Sequence, residues 1–204
     1  MRTMTRSDWA WFVGITIIAV AINPVLKSIG LLPADVFKSL GIFFPGLPQI
    51  VFGPLLAFLM LWCFIKTGEP LVFPIIGILR ALSLAFVFPK NPEHLGTCLA
   101  GILVGFIAWA MMRNAGRVRL AAWLPIMAAL YAGFYAAGNY LTTLMFGPAE
   151  QTQVILGSSH VTIGIIAGSL AIGLLFGAVA YGLMKLTVRL VPITTALRLQ
   201  PRPA

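Results

Sequence analysis

Charge is scarce in this sequence. Only 9% of its 204 residues are charged, and the acids number five: Asp8, Asp35, Glu69, Glu93 and Glu150. A soluble domain carries roughly a quarter of its residues as charges, so an ordinary soluble enzyme is excluded. Cysteine and histidine are nearly as rare. Cys63, Cys98, His94 and His160 are too few and too dispersed to form a metal site. The two cysteines fall at different membrane depths, too far apart for a disulfide. There is no Walker motif, no HExxH, no paired carboxylate and no Ser/His/Asp set at a shared depth. An enzyme is therefore not expected, and no cofactor or metal is implied. Ion-coupled carriers hold acids within their spans, and none is found within a span here.

What is present is apolar: 60% of the chain, with a mean hydropathy of +0.99. A helix crosses the hydrocarbon core with about 20 largely apolar residues. Six stretches bounded by Pro, Gly or charge qualify: 8–32, 47–66, 70–89, 95–113, 118–146 and 158–187. The segment Pro33 to Gly46 reads as a loop with a short interfacial turn. The fold expected is all-α, a six-helix polytopic membrane bundle forming one domain over 1–204, with a basic tail at 188–204. Six spans put Arg2, Arg6, Lys66, Arg113, Arg117, Arg119, Lys185, Arg189, Arg198 and Arg202 on one side, against Lys27, Lys38 and Lys90 on the other. The positive-inside rule then places both termini in the cytoplasm and the protein in the plasma membrane. Trp9, Trp11, Trp62, Trp109 and Trp123 fall near the same cytoplasmic interface, where indoles prefer to sit. The net charge of +9 is thus a topology signal, and no nucleic-acid partner is implied. A cleaved signal peptide ending near Ala19-Val20-Ala21 is the competing reading of the N-terminus. The apolar run continues past it to Leu32, and cleavage would upset the charge balance.

Polar residues within the spans collect in their outer halves. Thr16, Asn23 and Lys27 share one face of span one, Tyr131, Tyr135, Asn139 and Thr142 one face of span five, and Ser159, Thr162 and Ser169 one face of span six. His160 lies beside the last group, and Gln49 starts span two. Each hydroxyl could simply bond a neighbouring backbone carbonyl. Stripes on three helices at matching depth point instead to an outward-opening cavity lined by Arg80, Asn139, Tyr135, Asn23, Tyr131, Thr162, His160 and Gln49. Arg80 is the sharpest of these, because a cation in mid-span costs about 2.5–3.5 kcal/mol and no acid lies at its depth. It either faces the cavity and meets a ligand, bonds carbonyls freed near Pro74 or Pro89, or snorkels outward. Small residues four apart, Ala10/Gly14, Gly101/Gly105, Gly164/Gly168 and Gly173/Gly177, make notches for close helix approach. The Ala10/Gly14 pair could equally seat a partner helix.

Six spans in about 200 residues, a Pro/Gly-rich first external loop and polar groups gathered outward resemble the substrate-binding S component of energy-coupling factor (ECF) vitamin transporters. The stretch from Phe52 to Gly105, with Ile65-Lys66-Thr67-Gly68-Glu69-Pro70 and Lys90-Asn91-Pro92-Glu93-His94-Leu95-Gly96 as its connections, is similar to the branch associated with hydroxymethylpyrimidine and thiamine. The resemblance implies an external pocket capped by Pro33 to Pro48 and filled by a vitamin-like small molecule. It also implies docking of span one, around Ala10 and Gly14, onto a transmembrane coupling protein driven by two ATPases. The sequence departs from that pattern in its buried Arg80 and in having no acid expected in the cavity, which favours a neutral or anionic solute. A self-contained channel or carrier, and a structural subunit of a membrane complex, are the alternatives from other classes.

Overall fold

The computed structural model describes residues 5–42, 44–87, 94–113 and 120–190, and its regular structure there is entirely helical. Helix α1 (Arg6–Ser28) opens with a capping box. Thr5 Oγ1 accepts from the Asp8 N–H at 3.2 Å, and Asp8 Oδ2 accepts from the Thr5 N–H at 2.9 Å. Two amides left over at the helix start are thereby satisfied. The first connection contains a short helix, α2 (Pro33–Ser39), started by Pro33 at a position that needs no N–H. Helix α3 (Gln49–Thr67) ends at Gly68, whose φ of 70° turns the chain directly into α4 (Val72–Val87). Then follow α5 (His94–Arg113), a 3-10 turn (Leu120–Trp123), α6 (Leu124–Phe146), α7 (Ala149–Gly157) and α8 (Ser159–Leu190).

Two of these elements correct the sequence reading. The connection between spans five and six contains α7, started after Pro148 and too short to register as a span. Span five, expected from 118, becomes regular α-helix only at Leu124, because Pro125 sets the start of α6. The expected basic tail after Leu190, the Lys90 to Glu93 connection, and Arg2, Pro89, Arg117 and Arg119 lie outside the described residues.

Four helical segments, Arg6–Ser39, Gln49–Thr67, His94–Arg113 and Ser159–Leu186, are long and apolar enough to cross a membrane. Helix α4, with 16 residues, reaches roughly 24 Å at 1.5 Å per residue. Helix α6 has the length, but Tyr131, Tyr135, Asn139 and Tyr140 interrupt its apolar run. The outside of the bundle is greasy: Ile17, Phe106 and Leu175 are each more than 60% exposed. Such a surface is compatible with membrane insertion.

Helix α3 is the most enclosed of these spans. It packs on α1, α4, α6 and α8, while α5 joins α4 to α6 and α6 joins α5 to α8. Its Leu56, Met60 and Phe64 are fully buried and meet Phe73 and Ile76 of α4 and Met127 of α6 in the core. Close helix approach relies on some of the expected notches. A Cβ on Gly101 would stand 2.6 Å from the Phe73 carbonyl, and one on Gly177 2.5 Å from Pro125 Cα. The Gly164/Gly168 pair makes no such approach: nothing lies within 4 Å of a Cβ at Gly164, and Gly168 meets only Ile50 at ordinary contact distance. Gly14 is equally open, and Ala10 is exposed.

Pro24, inside α1, shapes the neighbourhood of Arg80. It has no N–H for the Val20 carbonyl, and its ring presses that turn open. Helix α4 supplies a replacement donor: Ser83 Oγ donates to the Val20 carbonyl at 3.4 Å. Arg80 Nη1 donates to the adjacent Ala19 carbonyl, which the proline does not free. The carbonyl that receives Arg80 thus lies on the neighbouring helix α1 and not near Pro74 of its own helix.

Candidate functional site

The described residues enclose a cavity of about 260 Å³ at one end of the bundle. Its walls come from the C-terminal ends of α1 and α4, the N-terminal ends of α3 and α5, the middle of α6, and the first connection with α2. Alternating helix directions bring these positions to one level. Pockets for small molecules run from about 300 to 1,000 Å³, so this one suits a single ring with short substituents.

Two aromatic side chains, Phe52 and Tyr135, form its flat walls, and Leu32 and Leu84 add aliphatic surface. Tyr135 is held by a stacked contact with Tyr131 one turn earlier, their ring centroids 6.4 Å apart at 8°. The polar lining consists of the amides of Asn23 and Gln49, the His94 imidazole and the Asp35 carboxylate. Asn23 and Gln49 are buried, while Asp35 is exposed at the mouth, on α2. His94 Nδ1 is buried and has no hydrogen-bond partner among the described residues.

Of the residues expected from sequence, Asn23, Gln49 and Tyr135 line the cavity. Tyr131 stands behind Tyr135, fully buried, its hydroxyl without a described partner and within electrostatic reach of Arg80 and Cys98. Asn139 lies one turn beyond Tyr135, against Gly96 at the α5–α6 contact, and its amide atoms have no described partner. Thr162 and His160 do not line the cavity; His160 is exposed at the start of α8, and Thr162 is half-buried there.

Arg80 is not a lining residue. It is the bulkiest fully buried side chain described, wedged between α4 and α1. Besides the Ala19 carbonyl, its Nη2 donates to Asn23 Oδ1 at 3.0 Å. The Phe52 ring, 5.8 Å from the guanidinium carbon, stands beside it while also forming cavity wall. Two neutral oxygens and a ring face thus take the place of the acid missing at its depth.

The cavity does contain an acid, contrary to the sequence reading. From sequence Asp35 reads as a loop residue, and the folding of that loop as α2 carries its carboxylate to the mouth. Besides the aliphatic and proline residues Leu32, Ala34, Pro48 and Leu84, sequence reasoning missed Asp35, His94 and Phe52. Asp35 and His94 lie just outside a span's outer boundary, where a charge reads as an ordinary interface residue, and Phe52 lies within the apolar run of span two, where a ring reads as core.

The far end of the bundle is different. Lys66 Nζ lies 5.2 Å from the Trp11 ring and 5.1 Å from the Trp62 ring, tying α1 to α3. Arg113 lies over Trp109 at 5.4 Å and Lys185 over Tyr181 at 4.6 Å. Cation–aromatic pairs of this kind suit a headgroup interface. No protein-family model, curated protein or solved structure matches the chain.

Proposed function

We propose that the chain is a membrane-embedded solute-binding bundle without catalytic activity. Its six spans have both termini in the cytoplasm of a plasma-membrane protein, and its cavity opens outward. The particular role that fits is the S component of an energy-coupling factor importer for a small vitamin-like solute, working with a transmembrane coupling protein and two ATPases. The cavity carries this reading: aromatic walls and four polar side chains meet at the end of the bundle away from the Lys66–Trp pair. The open flank of α1 at Ala10 and Gly14, where nothing lies within 4 Å of a Cβ on Gly14, supports coupling-protein docking there. Mass spectrometry of small molecules released from the purified protein tests the reading. A stoichiometric single-ring solute supports it, and flux of that solute into liposomes without any ATPase would favour a self-contained carrier instead.

Asp35 at the mouth turns the preference away from anions and toward solutes bearing a cation or hydrogen-bond donor. Because Asp35 is exposed, solvent screening limits its contribution to about 1 kcal/mol, or about fivefold in Kd. Asp35→Asn is expected to weaken binding of benzylamine, a cationic ring, by that factor in calorimetry. The effect should shrink with added salt, and neutral benzyl alcohol should bind both proteins alike.

A further inference from the structure

Resting on the reading of the cavity as a solute site, the geometry points to Arg80 as a positioning residue: by holding Asn23 Oδ1, it leaves the Asn23 Nδ2 amide to the cavity, so that the site selects solutes carrying a hydrogen-bond acceptor. The orientation follows from donor inventories. A guanidinium only donates, so the Asn23 atom 3.0 Å from Arg80 Nη2 must be the carbonyl oxygen. An amide free to turn could offer the cavity either of its ends. Here the oxygen is occupied, and Asn23 also lines the cavity, so the amide nitrogen is what it has left to offer.

Arg80 itself is held against turning. Its second bond runs to the Ala19 carbonyl of α1, and the Phe52 ring flanks its guanidinium. The cation therefore acts on the solute through Asn23, with no contact of its own. Combined with Asp35, the requirement becomes bipolar: a donor or cation toward α2 and an acceptor toward α1, on one flat ring.

Calorimetry on the full-length, detergent-purified protein tests this with matched probes. Benzylamine has a cation but no acceptor; the 2-, 3- and 4-(aminomethyl)pyridines add one ring nitrogen at three positions. The wild type should bind at least one pyridine about fivefold tighter than benzylamine, the worth of one neutral hydrogen bond. Asn23→Asp keeps the shape, pairs with Arg80 and shows the cavity only acceptors, so the preference should vanish or invert. Arg80→Lys, still purely a donor, should keep it. Arg80→Gln, which can accept from Nδ2 and let Asn23 turn, should lose it while still binding benzylamine. An unchanged preference in Asn23→Asp and Arg80→Gln overturns the role of Arg80, as does a wild type that binds benzylamine and every pyridine equally. Failure of all four probes to bind the wild type would instead overturn the solute-site reading beneath it.

Discussion

Phe52→Ala is expected to destabilise the protein by about 3–5 kcal/mol, the usual cost of deleting a buried phenylalanine, because the ring is 4% exposed and packed in the core. Denaturant unfolding in detergent measures that loss. The larger consequence concerns selectivity. The Phe52 ring both stands beside the Arg80 guanidinium, 5.8 Å away, and lines the cavity. Without the ring, the cation borders the cavity directly and meets the solute. Benzoate, which the wild type should reject, is then expected to bind at least tenfold tighter than it does to the wild type, since a charge-assisted hydrogen bond contributes about 1.5–3 kcal/mol. Benzylamine should weaken in parallel. A variant that loses stability but keeps its preference for cations would show that the ring does not shield the guanidinium.

Gly96→Ala is the second large effect. A Cβ there would stand 2.0 Å from Asn139 Oδ1 and 2.5 Å from the Asn139 backbone nitrogen. The side chain could swing aside, but the backbone could not, so α5 and α6 must separate. Overpacking of this kind costs about 1–3 kcal/mol, and the upper end applies where backbone is the obstacle. The melting temperature in detergent should fall by several degrees. Gly164→Ala is the matching control: its Cβ meets nothing within 4 Å, and an alanine in a helix interior is favoured over glycine. Equal losses in both variants would mean that the α5–α6 contact does not depend on Gly96.

The sequence makes the helices legible because lipid-length apolar runs carry their own boundaries in Pro, Gly and charge. Spans two to four lie within about two residues of α3, α4 and α5. Helices α2 and α7 escape because each is shorter than a span and carries polar residues. The residues of the span-five stripe, expected to line a cavity, are all buried, yet only Tyr135 among them lines it. Periodicity gives the face of a helix but not which neighbour covers it, and Gly96 brings α5 close enough to cover Asn139. Arg80 shows the same limit most clearly. Its oddity in mid-span is visible from composition alone, whereas its partner turn lies 57 to 61 residues away in sequence. Asp35 depends on the opposite circumstance: a residue that reads as ordinary loop charge becomes part of the site once its loop folds.

Pro24 and Ser83 constitute one unit of sequence change. With an ordinary residue at 24, the Val20 carbonyl regains its helical donor and the Ser83 hydroxyl is spare; with alanine at 83, the carbonyl that Pro24 frees loses its described donor. Arg80 belongs to a second unit, because its bonds to the Ala19 carbonyl and Asn23 Oδ1 do not depend on the proline. Drift at 24 should therefore be tolerated together with drift at 83, and drift at 80 together with drift at 23.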